Sequence, residues 1–215
     1  MIRAVLFDLD GVLTDTERLG SQMINAACQL QGFSLSEDEW KALIGITMEK
    51  TAQGIADLHP SADIPKLMQD WKEITLQTVR QHGVPEKTGA TQVLHTLKKQ
   101  GYKVGLCTNN KRGVISEYLL LLSWNSLFDT IVSAEDVQNR KPAPDTYLLA
   151  AQQLGCAPSE CAGVEDSPAG LTAVWSAGMH CILIPDLIDV PVSIPRHAVL
   201  SDLNALPDYL KSVSF

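Results

Sequence analysis

Two carboxylates two residues apart, Asp8 and Asp10 in Phe7-Asp8-Leu9-Asp10-Gly11, close a short apolar run near the start of the chain. Like charges held that closely repel unless a proton or a cation relieves them. A divalent metal answers the need, and oxygen ligands favour Mg²⁺. A D-x-D-G segment also forms a solvated Asx turn around its glycine, which asks for no metal. Three further sites bear on the choice. Thr108-Asn109-Asn110 offers a hydroxyl and backbone amides that suit phosphate oxygens, although Thr and Asn are also ordinary turn residues. Lys141, in Lys141-Pro142-Ala143-Pro144-Asp145, places an ammonium just ahead of a helix start set by Pro144; a lone lysine is more often a solvated surface charge. Glu165 and Asp166, within Gly163-Val164-Glu165-Asp166-Ser167-Pro168-Ala169-Gly170, stand where acids can be plain helix N-terminal charge.

The elements around these sites tie them together. Apolar β-rich runs occur at Ala4 to Leu9, Lys103 to Thr108, Thr130 to Ala134, Ala162 to Val164, His180 to Ile184 and Ala198 to Leu200. Helical stretches separate most of them, including Arg112 to Leu122 and Asp145 to Leu154 with Gly155 as its C-terminal cap. Alternation of this kind predicts a parallel sheet covered on both faces. Ala4, Val5, Leu6 and Phe7 point alternately to opposite faces, yet all are apolar, so both faces must be covered. All four polar sites then fall at strand carboxyl ends, where a doubly wound sheet binds ligands, and four such coincidences weigh against independent surface turns.

From about Asp15 to His82 the alternation stops and helical patterns follow one another. Leu19, Met23, Ala27 and Leu30 share a helix face that Gly32 ends. Ser36 and Glu39 form a capping box ahead of Trp40 and Leu43, and further helices are expected at Met48 to Leu58 and from Ile64 to about Arg80. Gly83 and Pro85 return the chain to the alternating pattern. The expected fold is therefore α/β, a Rossmann-like doubly wound parallel sheet core (1–14 and 83–215) with an inserted small all-α cap domain (15–82). Trp40 and Trp71 read as the interior of that insert rather than as a base-stacking platform.

Composition agrees with one core plus an insertion. With 215 residues, 45% hydrophobic and 20% charged, the chain is neither disordered, nor collagen-like, nor a disulfide miniprotein. A net charge of −8 argues against nucleic acid as partner, because phosphate backbones demand clustered Lys and Arg. Ile2 to Phe7 is too short for a spanning helix or a signal segment, so a cytoplasmic monomer with no membrane partner is expected. Five cysteines without a C-x-x-C pair read as buried reduced thiols.

The four motifs in this order resemble the haloacid dehalogenase superfamily over nearly the whole chain, and Phe7 to Thr16 with Lys141 to Gly170 resemble its β-phosphoglucomutase-like subfamily. The resemblance implies Mg²⁺-dependent phosphoryl transfer through an aspartyl phosphate. It makes Asp8 the nucleophile and Asp10 the general acid and base. It assigns Mg²⁺ to Asp8, the Asp10 carbonyl and Asp166, with Glu165 binding directly or through water. Thr108 and the Asn109 amide would hold the transferring phosphoryl oxygens, with Asn110 beside them, while Lys141 would stabilise their charge and tie Asp8 in place.

Asp10 sets the chain apart from the dehalogenase branch, since halide displacement needs no acid for the leaving group. The β-phosphoglucomutases resembled here carry a His after the first motif and an Arg in a cap loop; this chain has Gly20 and Met48. A phosphatase acting on a small phosphorylated metabolite is the favoured reading, with a sugar-phosphate mutase or a non-catalytic binding module as alternatives. Thr47 and Met48 are expected to meet the leaving group. Lys111 and Arg112 would contact a second anionic group, unless they are only surface charges at a helix start.

Overall fold

The computed structural model describes residues 1–43 and 48–213. Its six-stranded parallel sheet is built from β1 (Ala4–Phe7), β2 (Lys103–Cys107), β3 (Thr130–Val132), β4 (Cys161–Glu165), β5 (His180–Leu183) and β6 (Ala198–Val199), in the order β3-β2-β1-β4-β5-β6. The helices are α1 (Thr16–Leu30), α2 (Glu37–Lys41), α3 (Met48–Leu58), α4 (Ile64–His82), α5 (Ala90–Lys99), α6 (Arg112–Leu121), α7 (Asp145–Leu154), α8 (Pro168–Ser176) and α9 (Leu206–Ser212). The fold is the expected α/β class.

β1 is central, with Ala4–Phe7 opposite Lys103–Leu106 on one side and Cys161–Val164 on the other. All four of its side chains are 0% exposed, and burying each of the larger ones contributes about 1.5–3 kcal/mol of transfer free energy. Gly105 in β2 is part of this fit, because a Cβ there would lie 2.6 Å from a Leu6 methyl carbon. The chain winds from β1 outward through β2 to β3, then crosses back to β4 on the other flank. The point of reversal, between β1 and β4, is where such sheets open a crevice at their carboxyl ends.

β1 stops at Phe7 rather than Leu9. The Asp8 N–H still donates to the Val164 carbonyl at 3.1 Å, but Leu13 and Thr14 N–H both turn back to the Leu9 carbonyl, as does the Thr14 hydroxyl. Gly11 takes φ +80 in this turn.

The chain divides into two compact units, 1–14 with 86–215, and 15–85. The second boundary falls past residue 82 because the Asp15 N–H donates to the Pro85 carbonyl at 2.8 Å, holding both ends of the helical unit side by side. In that unit α1 packs on α4, burying Ile24, Ala27, Leu67 and Val79. Ser36 and Glu39 form the capping box reciprocally, and α4 starts at an Asp63 cap. Trp40 and Trp71 meet edge to face at 6.4 Å, within the packing of the insert. All five cysteines are buried free thiols. Among the described residues no helix is long and apolar enough to cross a membrane.

Candidate active site

The carboxyl ends of β1, β2 and β4 converge on one buried cation. Lys141, in the loop between β3 and α7, has a side chain only 4% exposed. Its ammonium donates to Asp8 Oδ1 at 2.6 Å, to the Cys107 carbonyl at 2.8 Å and to Glu165 Oε1 at 2.6 Å. Those three bonds use all the donors an ammonium has. Asp8 leaves β1, Cys107 ends β2 and Glu165 ends β4, so one lysine ties three strands together. From α7, the Tyr147 hydroxyl donates to Glu165 Oε1 at 2.6 Å, and the lysine stands 5.0 Å over the same ring. Ser167 caps α8 and its hydroxyl reaches Glu165 Oε2 at 3.3 Å.

Burial works against every charge here, and the partners decide the outcome. Desolvation opposes the Lys141 ammonium, yet Asp8 and Glu165 outweigh it and hold the group above the ordinary lysine range. Glu165 is wholly buried, and that desolvation pushes its carboxyl up although Lys141 opposes the shift. Tyr147 is raised well above a free phenol by burial and the facing carboxylate, so it stays a proton donor.

Asp8, Glu165 and Asp166 each present an oxygen within 4.8 Å of the others. Lys141 pairs with Asp8 and Glu165, so three carboxylates against one ammonium leave two formal negative charges that a divalent cation would balance. An all-oxygen donor set with hard carboxylates fits Mg²⁺. Glycine makes the arrangement possible at two positions. A Cβ on Gly11 would lie 2.1 Å from Asp166 Oδ2, and one on Gly170 would lie 1.9 Å from the Glu165 carboxylate.

A family model described as haloacid dehalogenase-like hydrolase matches residues 5–184. The chain belongs to that family. YhcW of Bacillus subtilis is 31% identical over 87% of this chain and 86% of its own length. The phosphorylated carbohydrates phosphatase of Thermotoga maritima is 28% identical, with 84% of each chain covered. The solved β-phosphoglucomutase of Clostridium difficile superposes with a TM-score of 0.77 at 23% identity, covering 99% of this chain and 96% of that one. With the β-phosphoglucomutase of Bacillus subtilis, 28% identical over 84% of this chain and 82% of its own length, the curated relatives support a phosphatase-like or mutase-like activity.

On this haloacid dehalogenase-like core, the structure brings Asp8, Lys141, Glu165 and Asp166 together, and joins Asn110 both to Asp10 and to Thr108. Thr108 is buried; its hydroxyl accepts from the Asn110 N–H at 3.1 Å. The side-chain amide of Asn110, a residue expected from the sequence to bind substrate, donates to Asp10 Oδ2 at 2.7 Å. Asn109 and Lys111 are exposed. Arg112, also exposed, is held by Asp136 through its guanidinium and by Glu135 through its N–H, so much of its charge is already answered. Thr47 lies outside the described residues, and Met48 opens α3. Sequence reasoning missed Tyr147, the Cys107 carbonyl, Ser167, Gly11 and Gly170. The two glycines carried a signal, since each stands within five residues of a candidate acid.

Proposed function

We propose that the chain is a Mg²⁺-dependent phosphatase that hydrolyses a small phosphorylated metabolite through an aspartyl phosphate on Asp8. The observation that carries this reading is the buried Lys141 bridge at 2.6 Å to Asp8, placed beside the three-carboxylate cluster. A carboxylate so paired is held in one orientation, as a nucleophile toward phosphorus requires. Asp8, Asp166 and, directly or through water, Glu165 would hold Mg²⁺, which supplies charge neutralisation for the phosphoryl oxygens when bound. Lys141 keeps Asp8 aimed and keeps Glu165 paired. Asp10 protonates the departing alkoxide, then takes a proton from the water that cleaves the intermediate. The Thr108 turn receives phosphoryl oxygens, and the helical unit, as a cap, sets substrate choice.

The mutase alternative is disfavoured by the residues themselves: Gly20 and Met48 stand where the resemblance to β-phosphoglucomutases leads to a histidine and an arginine, which leaves relay to a second phosphate without its side chains. Phosphate release from an aryl phosphate should require Mg²⁺, stop with EDTA and be abolished in Asp8→Asn. Metal-independent turnover, or full activity in Asp8→Asn, would overturn the reading. A panel of phosphorylated metabolites, assayed for both free phosphate and isomerised product, separates phosphatase from mutase.

A further inference from the structure

The residue that grips Asp10 is itself held on three sides. Asn110 donates its N–H to Thr108 Oγ1 at 3.1 Å, its carbonyl accepts from the Ala134 N–H at 3.1 Å, and its side-chain amide donates to Asp10 Oδ2 at 2.7 Å. The loops after β1, β2 and β3 are thus fastened together at one amide. We propose that Asn110 is a positioning residue for the acid–base carboxyl, a role that rests on reading Asp10 as the general acid.

The physical reason lies in the chemistry of the amide. The Asn110 NH₂ donates to Oδ2, so that oxygen is turned to the amide and Oδ1 is the oxygen that presents the acidic proton to the leaving group. In the first step the P–O bond to the leaving group breaks, a P–O bond to Asp8 forms, and the Asp10 proton goes to the departing oxygen. In the second, water gives its proton to Asp10 as its oxygen bonds phosphorus and Asp8 is released.

General acid catalysis matters for an alkoxide leaving group and little for an acidic phenol, which gives a readout that a purely structural role would not move. Asn110→Ala is compared with the wild type on benzyl phosphate and on 4-nitrophenyl phosphate, two esters of similar size, in saturating Mg²⁺. The kcat/KM, which reports transfer to Asp8, should fall about tenfold or more for benzyl phosphate and less than about twofold for 4-nitrophenyl phosphate. With the nitrophenyl ester, kcat should still fall, preceded by a burst of 4-nitrophenolate, because Asp10 must also activate water. Asn110→Asp keeps the shape and the backbone bonds, and serves if the alanine variant does not fold; it should show the same pattern. Equal losses in kcat/KM for both esters, or a rise in KM alone, would overturn the proposal. Asp10→Ala is the reference. If it shows the leaving-group pattern and the Asn110 variants do not, the positioning role fails and the acid–base reading stands. If Asp10→Ala and Asp8→Asn both turn over like the wild type, that reading falls and takes the proposal with it.

Discussion

Replacing Lys141 by Met tests the centre of the site, because the change keeps the length of the side chain while deleting its charge and its donors. The native ammonium holds Asp8 and Glu165 at 2.6 Å each and the Cys107 carbonyl at 2.8 Å, and its side chain is 4% exposed. Removing one member of a buried ion pair costs about 3–5 kcal/mol, since the remaining charge stays buried without its partner. In a chain of this length each kcal/mol moves the unfolding midpoint by about 2–4 °C, so Lys141→Met should melt roughly 6–20 °C lower in EDTA. Glu165 is pushed above the ordinary carboxyl range by burial, which makes its ionised form a burden on the fold once Lys141 is gone. Glu165→Gln in the Lys141→Met background should therefore recover part of the loss. The sign with pH follows from Lys141 itself: its folded pKa is raised, so its contribution is complete below the ordinary lysine value of 10.5 and fades as pH rises beyond it. Thermal melts followed by circular dichroism at neutral and alkaline pH check each part. A Lys141→Met midpoint within about 3 °C of the wild type, or a second substitution that lowers it further, would refute the account.

Two further outcomes follow from single residues. Gly11→Ala forces a side chain into φ +80 and against Asp166 Oδ2; the backbone cost is about 1–2 kcal/mol, so the melt should drop by only about 2–8 °C. The displaced carboxylate should raise the Mg²⁺ concentration for half-maximal activity at least about tenfold, which a metal titration reads directly. His180, whose ring bonds the Tyr209 hydroxyl at 2.7 Å and stacks on His197 at 4.3 Å, has its pKa lowered by burial and by His197. Its contribution is present above the ordinary imidazole value of 6.5 and is lost as pH falls below it. His180→Phe should flatten the pH dependence of the melt in that window, and an unchanged slope would count against it.

What could be read along the chain was what neighbouring residues decide. The Ser36–Glu39 capping box, the left-handed Gly155 after α7 and the all-apolar Ala4–Phe7 strand are local patterns, and each appears as such. The strand ends could be placed because Asp8, Thr108 and Glu165 each follow or close an apolar run. Hydrogen-bond partners could not, because they are set by rotamers across loops far apart in the chain. Lys141 reaches Asp8 from 133 residues away, and Asn110 reaches Asp10 from 100. Tyr147 gave no local signal, since a tyrosine in an amphipathic helix is ordinarily packing.

The pairing of Glu165 with Asp166 shows why two adjacent acids were needed at one strand end. Glu165 ends β4 and Asp166 follows it, and the two carboxyls meet different neighbours while keeping an oxygen each within 4.8 Å of the other. Glu165, the last residue of β4, turns into the core and takes Lys141 and Tyr147 on the same oxygen. Asp166 lies against the Gly11 turn, where a Cβ would come 2.1 Å from its Oδ2. Each direction is open only because a glycine faces it, Gly170 for Glu165 and Gly11 for Asp166. The two oxygens that Lys141 bridges would repel without it, and the three carboxylates together exceed the one charge it supplies. That excess would draw a divalent cation to the strand ends, and it would make cation binding and the aim of Asp8 consequences of the same packing.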